Sequence, residues 1–181
     1  MNRTCTAHST RRASTLFVTA LCWSATANAA PKAQELLAEI SARGAAEVVE
    51  KIWNTPNWEY LLSRVETGRR AWIDVAAKLY PGTDAGSTEM LTLALGEALV
   101  HSPREVLIQG ASTFGVESIC SGPDVDDHRY ETRDRAVAAV VERITAVRKL
   151  RGRDVAALRA SCLRSLQAEK ALLLSDKGPY S

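Results

Sequence analysis

The sequence predicts an all-α protein, and three observations carry that expectation. Apolar residues recur at helical spacing: Trp58, Leu61, Leu62 and Val65 fall at i, i+3, i+4 and i+7, and Trp72, Val75, Ala76 and Leu79 repeat the interval. Glycine, proline and capping residues punctuate these stripes at the spacing of short helices. Alternation of apolar and polar residues never runs longer than chance supplies. The expected architecture is about seven or eight short helices paired as antiparallel hairpins, which could stack as a small solenoid-like bundle, stapled by one disulfide. The two Trp-led stripes echo each other, but two units are fewer than a solenoid signature needs.

The chain opens with the layout of a secretory signal peptide. Arg3, Arg11 and Arg12 make a basic start, residues 13–24 form a short apolar run, and Ala27-Asn28-Ala29 is a small-residue cleavage signature just ahead of Pro31. Cleavage is expected between Ala29 and Ala30. The apolar run is about a dozen residues against the roughly 20 a membrane span needs, so no stable membrane insertion is expected after cleavage. Two rival export labels fit poorly. Arg11-Arg12 is a twin arginine, but Ser14 and Thr15 stand where that signal wants apolar residues. Cys22 would suit a lipoprotein, but Leu21 precedes it where a small residue is expected.

Removing residues 1–29 leaves 152 of the 181 residues, enough for one domain with a real core at 30–175 and a flexible tail at 176–181. The removed segment holds three of the 23 basic residues and none of the 21 acidic ones, so the formal charge falls from +2 to −1. A near-neutral domain has no general electrostatic pull toward nucleic acid or anionic lipid. Cys5 and Cys22 leave with the signal, and Cys120 and Cys162 remain as an even pair in a disulfide-permissive compartment. A bridge between them would close a loop of about 43 residues and contribute roughly 4 kcal/mol through chain entropy. Two separate buried thiols are the alternative. The expected location is periplasmic or secreted.

The elements follow in order. Leu36, Leu37 and Ile40 mark a first helix from near Pro31, which Gly44 interrupts. Val48, Val49 and Ile52 continue a second to Trp53, ended by Asn54-Thr55-Pro56. Gly68 separates the two Trp-led helices, where a left-handed cap suits glycine, and Pro81-Gly82 stops the second of them. Ser87 or Thr88 can cap a helix running through Val100 that is apolar nearly all round, hence central, with Gly96 allowing a neighbour to approach. Ser102-Pro103-Arg104-Glu105 reads as an N-cap, a first-turn proline and a capping-box glutamate, opening a short helix to about Gln109 that Gly110 closes. Residues 111–127 are the least regular, with one short helix near Val116–Cys120. Val137, Val140, Val141, Ile144 and Val147 stripe the next helix, which Gly152 caps. Asp154 opens the last, with Val155, Leu158, Cys162 and Leu166 on one face, so that Cys162 points inward.

The run Trp72-Ile73-Asp74-Val75-Ala76-Ala77-Lys78-Leu79-Tyr80-Pro81, followed by Asp84-Ala85 and then by Ala98-Leu99 and Pro103, Val106 and Leu107, resembles a pattern in small secreted helical proteins of proteobacteria that have no assigned activity. The likeness spans roughly residues 58–107 and recurs loosely around Cys162. It implies a helical fold and an envelope location, and no chemistry. In general plan the chain also looks like periplasmic immunity proteins of type VI secretion systems, a likeness that transfers no residues.

Several clusters could carry chemistry. Asp124, Asp126, Asp127 and His128, with Glu131 and Asp134, could hold a divalent cation. An EF-hand loop starting at Asp124 would need glycine at its sixth position, where Arg129 stands. The plainer reading is an acidic lead into a helix, favourable to its dipole. His101 and His128 are the only histidines beyond the signal, and nothing resembles a nucleophile elbow or a zinc-binding His-Glu-x-x-His pattern. Cys120 and Cys162 lack the Cys-x-x-Cys spacing of redox pairs. Trp53, Trp58, Tyr60, Trp72 and Tyr80 concentrate aromatics. Trp58 and Trp72 sit on apolar stripes and read as core, whereas Tyr60 is off its stripe and reads as a contact residue. Arg69 and Arg70 oppose the dipole at a helix start and could meet an acidic partner.

The leading expectation is a non-enzymatic exported helical protein without a cofactor that binds a protein partner in the envelope, as an immunity or inhibitor protein does. Asp124, Asp126, Asp127, Tyr60, Arg69 and Arg70 are its expected contact residues. The alternatives are an envelope hydrolase or metal-dependent enzyme with a non-standard site near Asp126 and His128, and a small-molecule binder using the aromatic region.

Overall fold

The computed structural model describes residues 32–121 and 130–175. The signal region with its Ala29–Ala30 junction, the acidic cluster Asp124, Asp126, Asp127 and His128, and the 176–181 tail lie outside the described residues. Among the described residues every regular element is helical. The nine helices are α1 (Ala33–Arg43), α2 (Ala45–Ile52), α3 (Pro56–Glu66), α4 (Arg70–Leu79), α5 (Ala85–Ala98), α6 (103–114), α7 (Val116–Ile119), α8 (Arg133–Arg148) and α9 (Ala156–Leu174).

Local chemistry sets most boundaries. Gly44 takes φ +92° between α1 and α2, and Gly68 takes φ +68° between α3 and α4, a region open to glycine but strained for other residues. Gly68 is also pressed from outside: a Cβ there would sit 2.8 Å from that of Ser102. Thr55 caps α3 by accepting from the Asn57 amide, and Pro56 occupies the first turn, where its missing N–H costs nothing. After α4 the chain tightens into one 3-10 turn, Tyr80–Gly82, that lies against the start of α2. A Cβ on Gly82 would collide with the Ala45–Ala46 backbone, so this glycine serves close approach as well as helix termination.

Four expected boundaries differ. Asp84, rather than Ser87 or Thr88, caps α5: its carboxylate accepts from the Ser87 amide at 2.8 Å, and the Ser87 hydroxyl accepts from the Asp84 amide at 3.0 Å. The capping pair therefore starts three residues earlier and buries Ser87. Ser102 does precede α6, but its side chain makes no cap bond. Gly110 does not end that helix. Pro103–Glu105, a π-helical turn Val106–Gly110, and Ala111–Phe114 run on as one rod, closed by Gly115 at φ +83°. Gly110 is buried, with Ile119 and Leu95 where a side chain would stand, so its small size serves packing. Lastly, α8 ends at Arg148 ahead of Gly152, and Val155 rather than Asp154 precedes α9. The Asp154 carboxylate is taken by Arg104, which also donates to the Arg151 carbonyl and so ties the start of α6 to the α8–α9 turn.

The buried residues form one core from Ala33 to Leu173. The predicted stripes of α3 and α4 point into it, with Trp58 and Trp72 both buried. α1 lies on α4, α3 on α5, and α8 and α9 pack as a pair. The π-helical turn touches α4, α5, α7 and α9, which makes it the joint between the N-terminal helices and the C-terminal pair. Cys120, just past α7, bonds to Cys162 on α9 with Cα atoms 5.2 Å apart. Gly96 on α5 faces the Ile119 carbonyl 3.1 Å from its would-be Cβ, the close approach expected of it.

Candidate functional site

The α3–turn–α4 unit builds a surface from arginines and aromatic rings. Tyr60 and Arg64 are four residues apart on α3 and therefore share a face. The Tyr60 ring stands edge-on to Trp72 of α4, with centroids 5.9 Å apart at 82°. The Arg64 guanidinium carbon lies 5.8 Å from the Tyr60 ring and 5.9 Å from the Trp72 ring, within cation–π range of both. Its Nε is buried without a hydrogen-bond partner. Tyr60 is thus half-buried by these neighbours and presents only part of its ring.

Arg69 and Arg70 are both exposed at the start of α4, whose first turn contains no acid. Arg70 is partly engaged: with the Gln109 amide oriented to suit both neighbours, its oxygen accepts from Arg70 Nε at 2.9 Å and its nitrogen donates to Asp74 Oδ1 at 2.9 Å. Arg69 has no ion pair among the described residues. Among the described residues no contact joins Arg69 or Arg70 to Tyr60: Arg70 faces Gln109 and Asp74, whereas Tyr60 meets Trp72 and Arg64, the last a residue that the sequence reading passed over. Its signal was available, since Arg64 follows Tyr60 by one helical turn.

Of the extended acidic cluster, only Glu131 and Asp134 are described. Glu131 pairs with Arg135 at 3.5 Å, and Asp134 sits in the first turn of α8 behind the Thr132 cap, where negative charge favours the dipole. His101 is exposed in the turn between α5 and α6. Among the described residues no group of three or more His, Cys, Asp or Glu is placed to hold a metal ion.

A second polar cluster is internal. Arg143 lies on the inward stripe of α8 and is only 1 % exposed. Its Nη2 donates to Glu97 Oε1 on α5, an oxygen that also accepts from the Tyr130 hydroxyl at 2.7 Å. Arg143 Nε and Nη1 are buried without acceptors. Burial pushes the Glu169 carboxyl above its ordinary range, an effect that the nearby Arg143 charge opposes. The sequence offered a signal for this pair, because an arginine stands between Val140, Ile144 and Val147 on an apolar stripe, and a glutamate follows Gly96 on the most apolar helix.

Surface clefts among the described residues include three. One of about 340 Å³ lies beside Glu97 and Tyr130, and another of about 310 Å³ lies between α8 and α9. The third, about 530 Å³, is walled by Trp53, Pro56, Trp58 and Met90, with the two indoles edge-to-face at 4.9 Å. Tyr60 is not among its walls. No helix among the described residues is long and apolar enough to cross a membrane. A bonded cysteine pair is compatible with an extracytoplasmic protein. No family model, curated protein or solved structure matches the chain.

Proposed function

We propose that the protein is exported to the periplasm or beyond by a signal peptide cut between Ala29 and Ala30, and that it works there by binding a protein partner, in the manner of an immunity or inhibitor protein. The observation that carries this reading is the half-buried Tyr60 and Arg64 pair on α3, which packs over the core ring of Trp72, together with the exposed Arg69, which has no ion pair among the described residues. Tyrosine, tryptophan and arginine are the residue types that dominate binding hot spots, because a rigid ring and a planar cation give large contact area at small entropic cost. The disulfide supports the export half of the reading, since such bonds persist in oxidising compartments. The likeness of residues 72–81 to small secreted proteobacterial proteins points the same way.

Envelope extract passed over the immobilised exported protein tests it. The expected result is one protein retained by the wild type and lost from Arg69→Glu/Arg70→Glu, whose circular dichroism should show the helical fold intact. Replacing Asp124, Asp126 and Asp127 together by Asn should weaken the same capture, most clearly at low salt. Equal capture by wild type and the double arginine variant would sink the assignment of this surface. A hydrolytic activity abolished by the triple Asn variant would replace the reading with an enzyme.

A further inference from the structure

The groove between α8 and α9 has its own chemistry. Val141, Ile144 and Arg148 on α8 fall at i, i+3 and i+7 with Thr145 beside them, and Gln167, Lys170, Ala171 and Leu174 on α9 line the opposite wall. The groove therefore runs for about two helical turns, roughly 10 Å. Val141 is 38 % exposed and Leu174 is 56 % exposed, while most large apolar residues of the fold are buried. No carboxylate lines the groove, and neither Arg148 nor Lys170 has an ion-pair partner among the described residues.

We infer that this groove is a docking site for an acidic amphipathic helix of a protein partner. Four apolar residues, Val141, Ile144, Ala171 and Leu174, spread over about two turns can receive the apolar face of a helix, the geometry by which helices seat in grooves. Two unpaired cations on the walls call for carboxylates on the flanks of that helix and fix its orientation. A second copy of this chain is a poor occupant, because apposing two such grooves brings four cations together. The inference rests on the reading of the protein as a binding scaffold, but it uses a face separate from Arg69 and Arg70.

The test uses the purified exported protein and a fluorescent helical peptide of about four turns. The peptide carries leucine at i, i+3, i+7 and i+11 with glutamates beside them, and a second peptide has lysine in place of every glutamate. The acidic peptide should saturate the protein and bind at least about tenfold more tightly than the lysine peptide. Leu174→Asp should abolish binding, and Arg148→Glu/Lys170→Glu should reverse the preference. Amide shifts on binding should map to α8 and α9, and Arg69→Glu/Arg70→Glu should bind the peptide normally. Equal binding of both peptides, or binding indifferent to Leu174→Asp, would overturn the inference. So would a dimer that Leu174→Asp dissolves, which assigns the groove to a second copy. Preferential binding to phosphatidylglycerol vesicles through Arg148 and Lys170 would likewise overturn it. Failure of the peptide while envelope capture still depends on Arg69 defeats the groove alone. Peptide binding without any envelope capture leaves the groove standing and defeats the α3–α4 assignment.

Discussion

Removing the Glu97 carboxylate should destabilise this protein more than removing both members of its ion pair. Arg143 sits in the core with 2 % of its side chain exposed, and Glu97 retains 23 %. Taking a cation out of water is costly, and here the direct compensation comes from one carboxylate on a different helix. Glu97→Ala strands the guanidinium, two of whose nitrogens already lack acceptors, and takes an acceptor from the Tyr130 hydroxyl. Breaking a buried pair from one side costs about 3–5 kcal/mol, and the partial exposure of Glu97 places this case near 3 kcal/mol. For a domain of this size, each kcal/mol lowers Tm by about 2–4 °C, so a fall of about 6–12 °C is expected. Glu97→Leu/Arg143→Met fills similar volume and strands no guanidinium, but Tyr130 still loses the Glu97 acceptor and Glu169 its nearby cation, so it should cost about 1–2 kcal/mol. Urea denaturation followed by circular dichroism, with the disulfide intact, measures both variants. A Glu97→Ala cost under about 1 kcal/mol would refute this reasoning, as would a double variant costing the sum of the singles.

The remaining expectations concern the staple, the core and a cap. Cys162→Ala should cost about 2–5 kcal/mol, and the native protein should weigh two hydrogens less than its reduced form; labelling of both thiols without reductant would contradict the bridge. Trp72→Ala should cost about 3–5 kcal/mol by emptying a buried site between α3 and α4, and an unchanged Tm would show the ring to be dispensable. The Ser87 hydroxyl, and then its amide, hold the Asp84 carboxyl below its ordinary pKa. That depressed pKa contributes stability present above the ordinary aspartate value and lost as pH falls through the folded one. Asp84→Ala should therefore lower Tm at neutral pH, with a deficit that shrinks on acidification below the ordinary aspartate range; a deficit constant down to strong acid would refute the cap.

What could be read from residues alone follows the range of the forces involved. The stripes of α3, α4 and most of α8 were legible because burial on one face imposes a period on the chain, and the observed cores at Trp58, Trp72 and Val140 match it; Val141, expected on the α8 stripe, lies at its edge and stays 38 % exposed. Glycines with positive φ at 44 and 68 were equally legible, being local backbone requirements. Gly110 misled because a glycine needed for packing looks the same in sequence as one needed for a cap. The difference lies in Ile119 and Leu95, which arrive from elsewhere in the chain. The cap at Asp84 was missed for a simpler reason, since Asp84, Ser87 and Thr88 are all competent and only the register of α5 chooses among them. Arg143 and Glu97 each stand out as a charge on an apolar face, but they lie 46 apart in sequence and nothing local says that the two meet. The arginines at 69 and 70 could be singled out by their mismatch with the helix dipole. The meeting of Tyr60 and Arg64 with Trp72 required the turn at Gly68 to be folded.

The sulfur bond has a consequence for resistance to proteolysis. Cys120 and Cys162 enclose the whole of α8, the turn after it and the first part of α9. A single peptide bond cut anywhere between these cysteines leaves the two fragments covalently joined, because the sulfur bridge spans the cut. A protease would thus have to cleave this stretch twice, or cut outside it, before any piece could drift away. On a gel, a singly nicked molecule would keep its full mass until reductant was added.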